Sequence, residues 1–232
     1  MRSIKTFAAS ALAVSMLLTG CSSMNNTGKG ALIGGGGGAG LGAGLGALIG
    51  GGKGAAIGAA IGAGVGAGAG ALIGRKMDKQ QQQLQQELAN SATVEKVTDD
   101  NGLQAIKVTF SSGILFPTNG TSLSQSAKNE LSQFAQSLIN NPNTNVQIFG
   151  YTDNTGSLAV NERVANGRAD SVLAYLVNCG VSPARLSAKG IPMAGYVASN
   201  ATEAGRAMNR RVEIYITADQ TMIKQAEAGT LQ

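Results

Sequence analysis

From Gly30 to Gly74 a glycine stands at every fourth position without a break, and this pulse limits what the front of the chain can become. Residues 28–51 and 52–75 are identical at 17 of 24 positions, each opening Gly-Lys-Gly-Ala and carrying Ala-Leu-Ile-Gly near its end, which marks a tandem duplication. On a helix the repeated glycine makes a small-xxx-small groove, through which backbones approach closely where water gives no drive to associate. Lys29, Lys53 and Arg75 bracket uncharged runs of 23 and 21 residues. Each run would be about 33 Å long as a helix, against a hydrocarbon core of about 30 Å, so a membrane hairpin fits. In water the same helix is disfavoured, because a helical glycine costs about 1 kcal/mol relative to alanine and residues 34–38 are all glycine. A bilayer reverses the balance, since an unbonded backbone there costs more than the glycine penalty. Two other readings stay open: a flexible tether, and a sheet-like stack suggested by the two-residue alternation from Gly38 to Gly46. The glycine groove also implies a homo-oligomer as a partner state.

Ahead of the repeats, Arg2 and Lys5 precede an apolar run from Phe7 to Leu18 that is too short to span a bilayer. It ends in Leu18-Thr19-Gly20-Cys21, and residues 1–20 read as a secretory signal. Small residues just before a cysteine resemble the lipobox of bacterial lipoproteins. That resemblance implies that Cys21 is acylated, palmitate included, and becomes the mature N-terminus, with residues 21–27 as the lipidated stretch. The alternative is an ordinary signal peptide with an incidental cysteine. Acyl chains contribute about 0.8 kcal/mol per buried methylene, so they would hold the protein on a membrane without a spanning helix. Ser22 suits sorting to the outer membrane by the same resemblance. Acylation also leaves Cys179 without a partner, so no structural disulfide is expected; beside Gly180 at a helix end it reads as a small buried hydrophobe. Two spans return the chain to the side on which Cys21 is lipidated, which places the C-terminal domain in the periplasm.

The formal net charge of +5 invites a nucleic-acid reading, but residues 93–232 hold 11 basic and 11 acidic side chains. The basic bias belongs to the front, and no nucleic-acid partner is expected. The sequence has no His and no Trp, which removes His-dependent triads and His-ligated zinc. No nucleophile with a matching base, no metal-ligand spacing and no phosphate-loop context is visible, so the chain is not expected to be an enzyme or to carry a cofactor or metal.

Glycine use separates the parts: 22 of the 34 glycines fall between Gly28 and Gly74. Residues 76–92 are Gln-rich, with Met77, Leu84 and Leu88 at helical spacing, and read as an exposed connecting helix. Two β-prone runs, Thr93 to Val97 and Leu103 to Phe110, flank Asp99-Asp100-Asn101-Gly102 and predict a hairpin. Leu123, Ala127, Leu131, Phe134 and Leu138 predict a helix that stops near Asn141-Pro142. Val146, Ile148 and Gly150 alternate as in a half-buried strand, residues 158–177 resume helical spacing, and Val212, Ile214 and Ile216 mark the last strand. Strands interleaved with helices predict an α/β sandwich, one sheet with its helices on one face. The polar residues 218–232 read as a tail, disordered or forming a short helix.

A family emerges from the ordered motifs Gly150-Tyr151-Thr152-Asp153-Asn154-Thr155-Gly156, Asn161, Arg168-Ala169, Val172, Leu186, Gly190, Ala198 to Thr202, and Gly205-Arg206-Ala207-Met208-Asn209-Arg210-Arg211-Val212-Glu213-Ile214. These closely resemble the OmpA-like peptidoglycan-binding domain, over about Gly102 to Thr217 within residues 93–217. With the lipobox and glycine zipper in front, the chain resembles outer-membrane lipoproteins that join the three parts. Departures from the family pattern are Val164-Ala165 in place of Leu-Ser and Tyr196 where Pro is common; neither removes a charged ligand group.

The resemblance implies a mixed sheet and a site for the diaminopimelate of peptidoglycan stem peptides, whose free end presents an ammonium and a carboxylate on one carbon. Asp153 would take the ammonium and Arg168 the carboxylate, by charge-assisted hydrogen bonds in which Arg offers a fork. Asn161 lies two helical turns from Arg168 and so on one side with it. The family mapping adds Thr152, Asn119 and Arg210. Without the family, Asp153 reads as a turn former and Arg168 as a solvated or salt-bridged residue. Arg210 and Arg211 alternate on a strand, so only one can line the pocket; Arg210 is chosen by the family pattern, and Arg211 is expected to pair with an acidic neighbour. The function implied is noncovalent tethering of the outer membrane to the wall. The alternative makes the glycine segment the active part, inserting in a membrane or self-associating, with the C-terminal domain as a dock.

Overall fold

The computed structural model describes residues 67–99, 102–117 and 120–232. Cys21 and the signal segment, the glycine repeats as far as Gly66, and Asn119 lie outside the described residues. Helix α1 (Ala67–Glu87) precedes strands β1 (Ala92–Thr98) and β2 (Gln104–Ser111), a short helix α2 (Ser112–Leu115), helix α3 (Gln125–Asn140) and strand β3 (Thr144–Tyr151). Helix α4 (Leu158–Asn178), strand β4 (Leu186–Ile191), helix α5 (Glu203–Asn209), strand β5 (Arg211–Ala218) and helix α6 (Gln220–Glu227) complete the domain. The sheet order is β1-β2-β5-β3-β4, antiparallel throughout except for the parallel β3–β4 pair. It is the mixed sheet expected of this fold class.

Local chemistry accounts for the elements. The β1–β2 turn is closed by Asp99, whose carbonyl accepts from the Gly102 amide and whose carboxylate accepts from the Leu103 amide. Ser124 caps α3 by accepting the Ala127 amide at 3.0 Å, which satisfies one of the helix's free N–H groups. One continuous core lies on one sheet face, where Ile106, Val108, Phe110, Val146, Ile148, Val212, Ile214 and Ile216 meet α1, α3, α4 and α6. Phe110 and Phe134 join sheet to helix edge-on, with ring centroids 6.2 Å apart.

The crossing of α4 over the sheet fixes how closely that helix approaches the ends of β3 and β4. A Cβ on Gly150 would lie 2.3 Å from the Ala165 carbonyl oxygen, and one on Gly190 would lie 2.5 Å from the Asn166 nitrogen. Only glycine admits this approach, and Ala165 and Ala169 complete the narrow seam. The Asn166 side chain then accepts the Gly190 amide at 2.8 Å, which ties helix to strand.

Three expectations change. The Gln-rich helix is not exposed along its length: Ile73, Met77, Gln80, Leu84 and Leu88 are buried, recurring at three and four residues against the sheet and α6. Helix α1 also takes in residues 67–74 of the second glycine repeat, so the break placed at residue 75 falls inside one helix. Strand β3 is buried on both faces rather than half-buried, because Gln147, Phe149 and Tyr151 on its second side are covered as well. There Phe149 meets Tyr215 edge-on at 5.8 Å, and Arg211 stacks over Tyr151. Residues 218–232 take the short-helix alternative as α6, capped by Asp219 and burying Met222, Ile223 and Ala226. Among the described residues no helix is long and apolar enough to cross a membrane.

Candidate functional site

Strands β2, β3 and β4 end, and β5 begins, at one end of the sheet. The segments leaving β2 and β3, with the first half of α4, one face of α5 and Arg210 just before β5, line a cleft of about 830 Å³. Asp153 and Arg168, 15 positions apart in sequence, both line it, together with Thr152, Asn161 and Arg210. Five of the six predicted residues therefore converge; Asn119 is outside the described residues.

Asp153 stands just past β3 and is buried. Its Oδ1 accepts the Thr155 amide at 2.8 Å, an Asx turn, and its Oδ2 accepts from Arg210 Nη1 at 2.7 Å. Burial pushes this carboxyl up, but the hydrogen bonds from Arg210 and Thr155 outweigh it and hold the group below the usual aspartate value. Thr152 accepts the Met193 amide on its hydroxyl at 3.0 Å, joining the loops that follow β3 and β4. Met193 is the only non-glycine residue among those described with a left-handed backbone, at φ 48°. Asn161 closes the Asp153 loop from below: its side-chain amide donates to the Thr155 and Ser157 carbonyls at 2.9 and 3.0 Å. Both amide hydrogens are thus engaged, which leaves only its oxygen for a ligand.

Arg168 is neither the solvated nor the salt-bridged residue that its sequence context suggested. It is 4 % exposed, and among the described residues no carboxylate lies within 4.0 Å of it. Its Nε donates to the Gly120 carbonyl at 3.1 Å, its Nη1 to Ser112 Oγ at 3.3 Å, and the guanidinium lies over the Phe116 ring. Burial lowers its proton affinity, the nearby Arg210 charge lowers it further, and Asp153 acts in the opposite sense. A buried cation held by neutral acceptors is costly unless an anion completes its surroundings.

Arg210 and Arg211 part as expected, although Arg210 caps the end of α5 and the strand begins only at Arg211. Arg210 enters the cleft, while Arg211 lies on the other sheet face, donates from Nε to Glu213 Oε1 at 2.7 Å and from Nη2 to the Gly195 carbonyl at 2.8 Å. Sequence reasoning missed two cleft residues, Glu203 and Arg206. Glu203 accepts from Arg210 Nη2 at 2.7 Å on Oε1 and from Arg206 Nε and Nη2 at 3.0 and 2.7 Å on Oε2. Glu203 and Arg206 are one turn apart on α5 and Arg210 is its C-cap, a grouping visible only once α5 is recognised. Three guanidiniums and two carboxylates line the cleft, one positive charge in excess. Among the described residues no cluster of His, Cys, Asp and Glu could hold a metal ion.

The arrangement defines a class: a small α/β domain with a recessed cleft lined by paired charges. Residues 115–210 match the OmpA family, and residues 1–78 match the YMGG-like Gly-zipper family. Along the chain, the match to the glycine-zipper family thus precedes the match to the OmpA family. It is 38% identical over 104 residues to the probable lipoprotein YiaD of Escherichia coli, covering 45% of this chain and 48% of that protein. It is 40% identical over 112 residues to the peptidoglycan-binding protein ArfA of Mycobacterium tuberculosis, covering 48% of this chain and 34% of that one. The chain thus spans about one third to one half of these curated relatives. Among solved structures, the cell wall anchor of the T6SS from Pseudomonas aeruginosa superposes with a TM-score of 0.51 at 28% identity, covering 59% of this chain and 97% of that one.

Proposed function

We propose that this protein is a lipid-anchored component of the outer membrane that binds peptidoglycan noncovalently through the diaminopimelate of stem peptides, and so tethers membrane to wall. The observation that carries the reading is Arg168: a buried guanidinium without a carboxylate partner among the described residues, in the same cleft as Asp153. The free end of diaminopimelate supplies the missing carboxylate to Arg168 and an ammonium to Asp153. Arg suits this task because its planar fork matches a carboxylate, whereas an ammonium group would not. Acylated Cys21 is the anchor, the domain faces the periplasm, and the role is binding without catalysis. The relatives named as a lipoprotein and as a peptidoglycan-binding protein support this reading.

Purified sacculi test it. The lipidated chain should sediment with them, and Asp153→Ala and Arg168→Ala should each remove most of that binding. Sedimentation of both variants at the parent's level discards the site. Deleting residues 28–66 separates the second reading, in which the glycine zipper is the active part. The deletion stops short of Ala69 and Ile73 because both are buried in the domain core. Wall binding that survives the deletion assigns it to the cleft, and wall binding lost with it moves the activity to the zipper.

A further inference from the structure

Asp153 is not idle in the absence of ligand. Arg210 already occupies Oδ2, and the Thr155 amide occupies Oδ1. An ammonium that approaches Asp153 therefore meets a carboxylate whose charge is neutralised by a guanidinium at 2.7 Å. The same guanidinium has a second acid on its other nitrogen, since Arg210 Nη2 donates to Glu203 Oε1 at 2.7 Å. Glu203 is in turn steadied by Arg206, which donates to Oε2 through two nitrogens and anchors itself on the Asn200 carbonyl at 3.0 Å. The result is a chain of alternating charge, Arg206–Glu203–Arg210–Asp153, that ends at the ligand's cation site.

We propose that Glu203 is a positioning residue for ligand capture: it keeps hold of Arg210 when an incoming ammonium claims Asp153, so that the exchange leaves no guanidinium unpaired. This rests on the wall-binding reading and adds to it a residue and a consequence. A ligand that brings only a carboxylate binds Arg168 and leaves Arg210 on Asp153. A ligand that brings both charges displaces Arg210 toward Glu203. Glu203 thus favours zwitterionic ends over plain acids without touching the ligand, by lowering the cost of freeing Asp153. The effect is modest because Glu203 is 66% exposed and water screens the pair.

The test uses the full chain in detergent and two stem tripeptides, one ending in meso-diaminopimelate and one in 2-aminopimelate, which lacks the far amine but keeps its carboxylate. By calorimetry, Glu203→Gln is expected to weaken the diaminopimelate peptide about two- to fivefold, in the range of exposed ion pairs, and to leave the aminopimelate peptide unchanged. In an Arg210→Gln background Glu203→Gln should change neither, because its action runs through Arg210. Equal weakening of both peptides, no weakening of the first, or the same loss in the Arg210→Gln background overturns the inference alone. A parent protein that binds neither peptide overturns the wall-binding reading and this inference with it.

Discussion

Replacing Arg168 with Met should abolish binding while leaving the unliganded protein as stable as the parent or more so. The side chain is 4 % exposed, with two hydrogen bonds to neutral acceptors, one ring contact and no ion pair among the described residues. Hydrogen bonds from a charged group are worth about 1.5–3 kcal/mol each, and the 3.3 Å bond to Ser112 belongs at the low end. The ring contact adds about 0.5–2 kcal/mol. Against these stands a desolvation penalty of several kcal/mol for a buried ion, made worse by the nearby Arg210. The terms nearly cancel, and Met fills most of the volume with apolar contacts. Thermal melting should therefore shift by no more than a few degrees and not downward by more than about 2–4 °C, the change that corresponds to 1 kcal/mol in a chain of this size. Peptide affinity should fall by about 2–5 kcal/mol, because a ligand carboxylate is left unpaired in a recessed site. A variant that loses both stability and binding would show that Arg168 is there for the fold, and would refute the reasoning.

The remaining predictions concern pH, the helix seam and the domain edge. Because the folded-state value of Asp153 is depressed, its carboxylate persists as pH falls through the ordinary aspartate value of 3.8 and is lost only below it; peptide binding followed by calorimetry should stay flat from pH 7 to 5 and decline below pH 3.8. A decline already at pH 6 would assign the cation site to another group. Gly150→Ala drives a methyl into the Ala165 carbonyl, and urea unfolding should report a loss of about 1–3 kcal/mol or more from overpacking. Leu84→Ala removes a fully buried side chain from α1 and should cost about 2–5 kcal/mol, whereas an exposed connecting helix would show almost no change in the same assay.

Much of the site was legible through the resemblance to the OmpA-like domain, since on the residues alone Asp153 reads as a turn former and Arg168 as a solvated or salt-bridged side chain; strand and helix parity only ordered what the resemblance named. Asp153 follows a strand signal, and Asn161 and Arg168 are two turns apart on one helix. The structure adds the reason why these converge, the close crossing of α4 at Gly150 and Gly190. What escaped was tertiary. Strand β4 reads Leu-Ser-Ala-Lys-Gly-Ile, with small residues chosen to admit α4 rather than to signal a strand. Helix α5 is seven residues long, too short for periodicity to reveal, and Glu203 and Arg206 were hidden with it. Helix α1 carries its buried face among glutamines, and Gln80 is itself buried, so three apolar residues understated a face that spans the helix. On the second sheet face, Arg211 and Glu213 are buried as a pair at 2.7 Å, and Tyr215 donates to Glu213 at 2.9 Å. The acidic partner of Arg211 was anticipated from sequence; that the pair is buried is a tertiary fact.

The central claim is that Asp153 and Arg168 hold the two charges of one ligand carbon. Its most direct measurement compares tripeptides ending in meso-diaminopimelate and in lysine, which differ by the far carboxylate, on the parent protein and on Arg168→Met. The parent should prefer diaminopimelate by about 30-fold or more, as expected for an unpaired buried charge, and Arg168→Met should bind the two alike. Equal affinity of the parent for both peptides, or a preference that survives in Arg168→Met, would contradict the account.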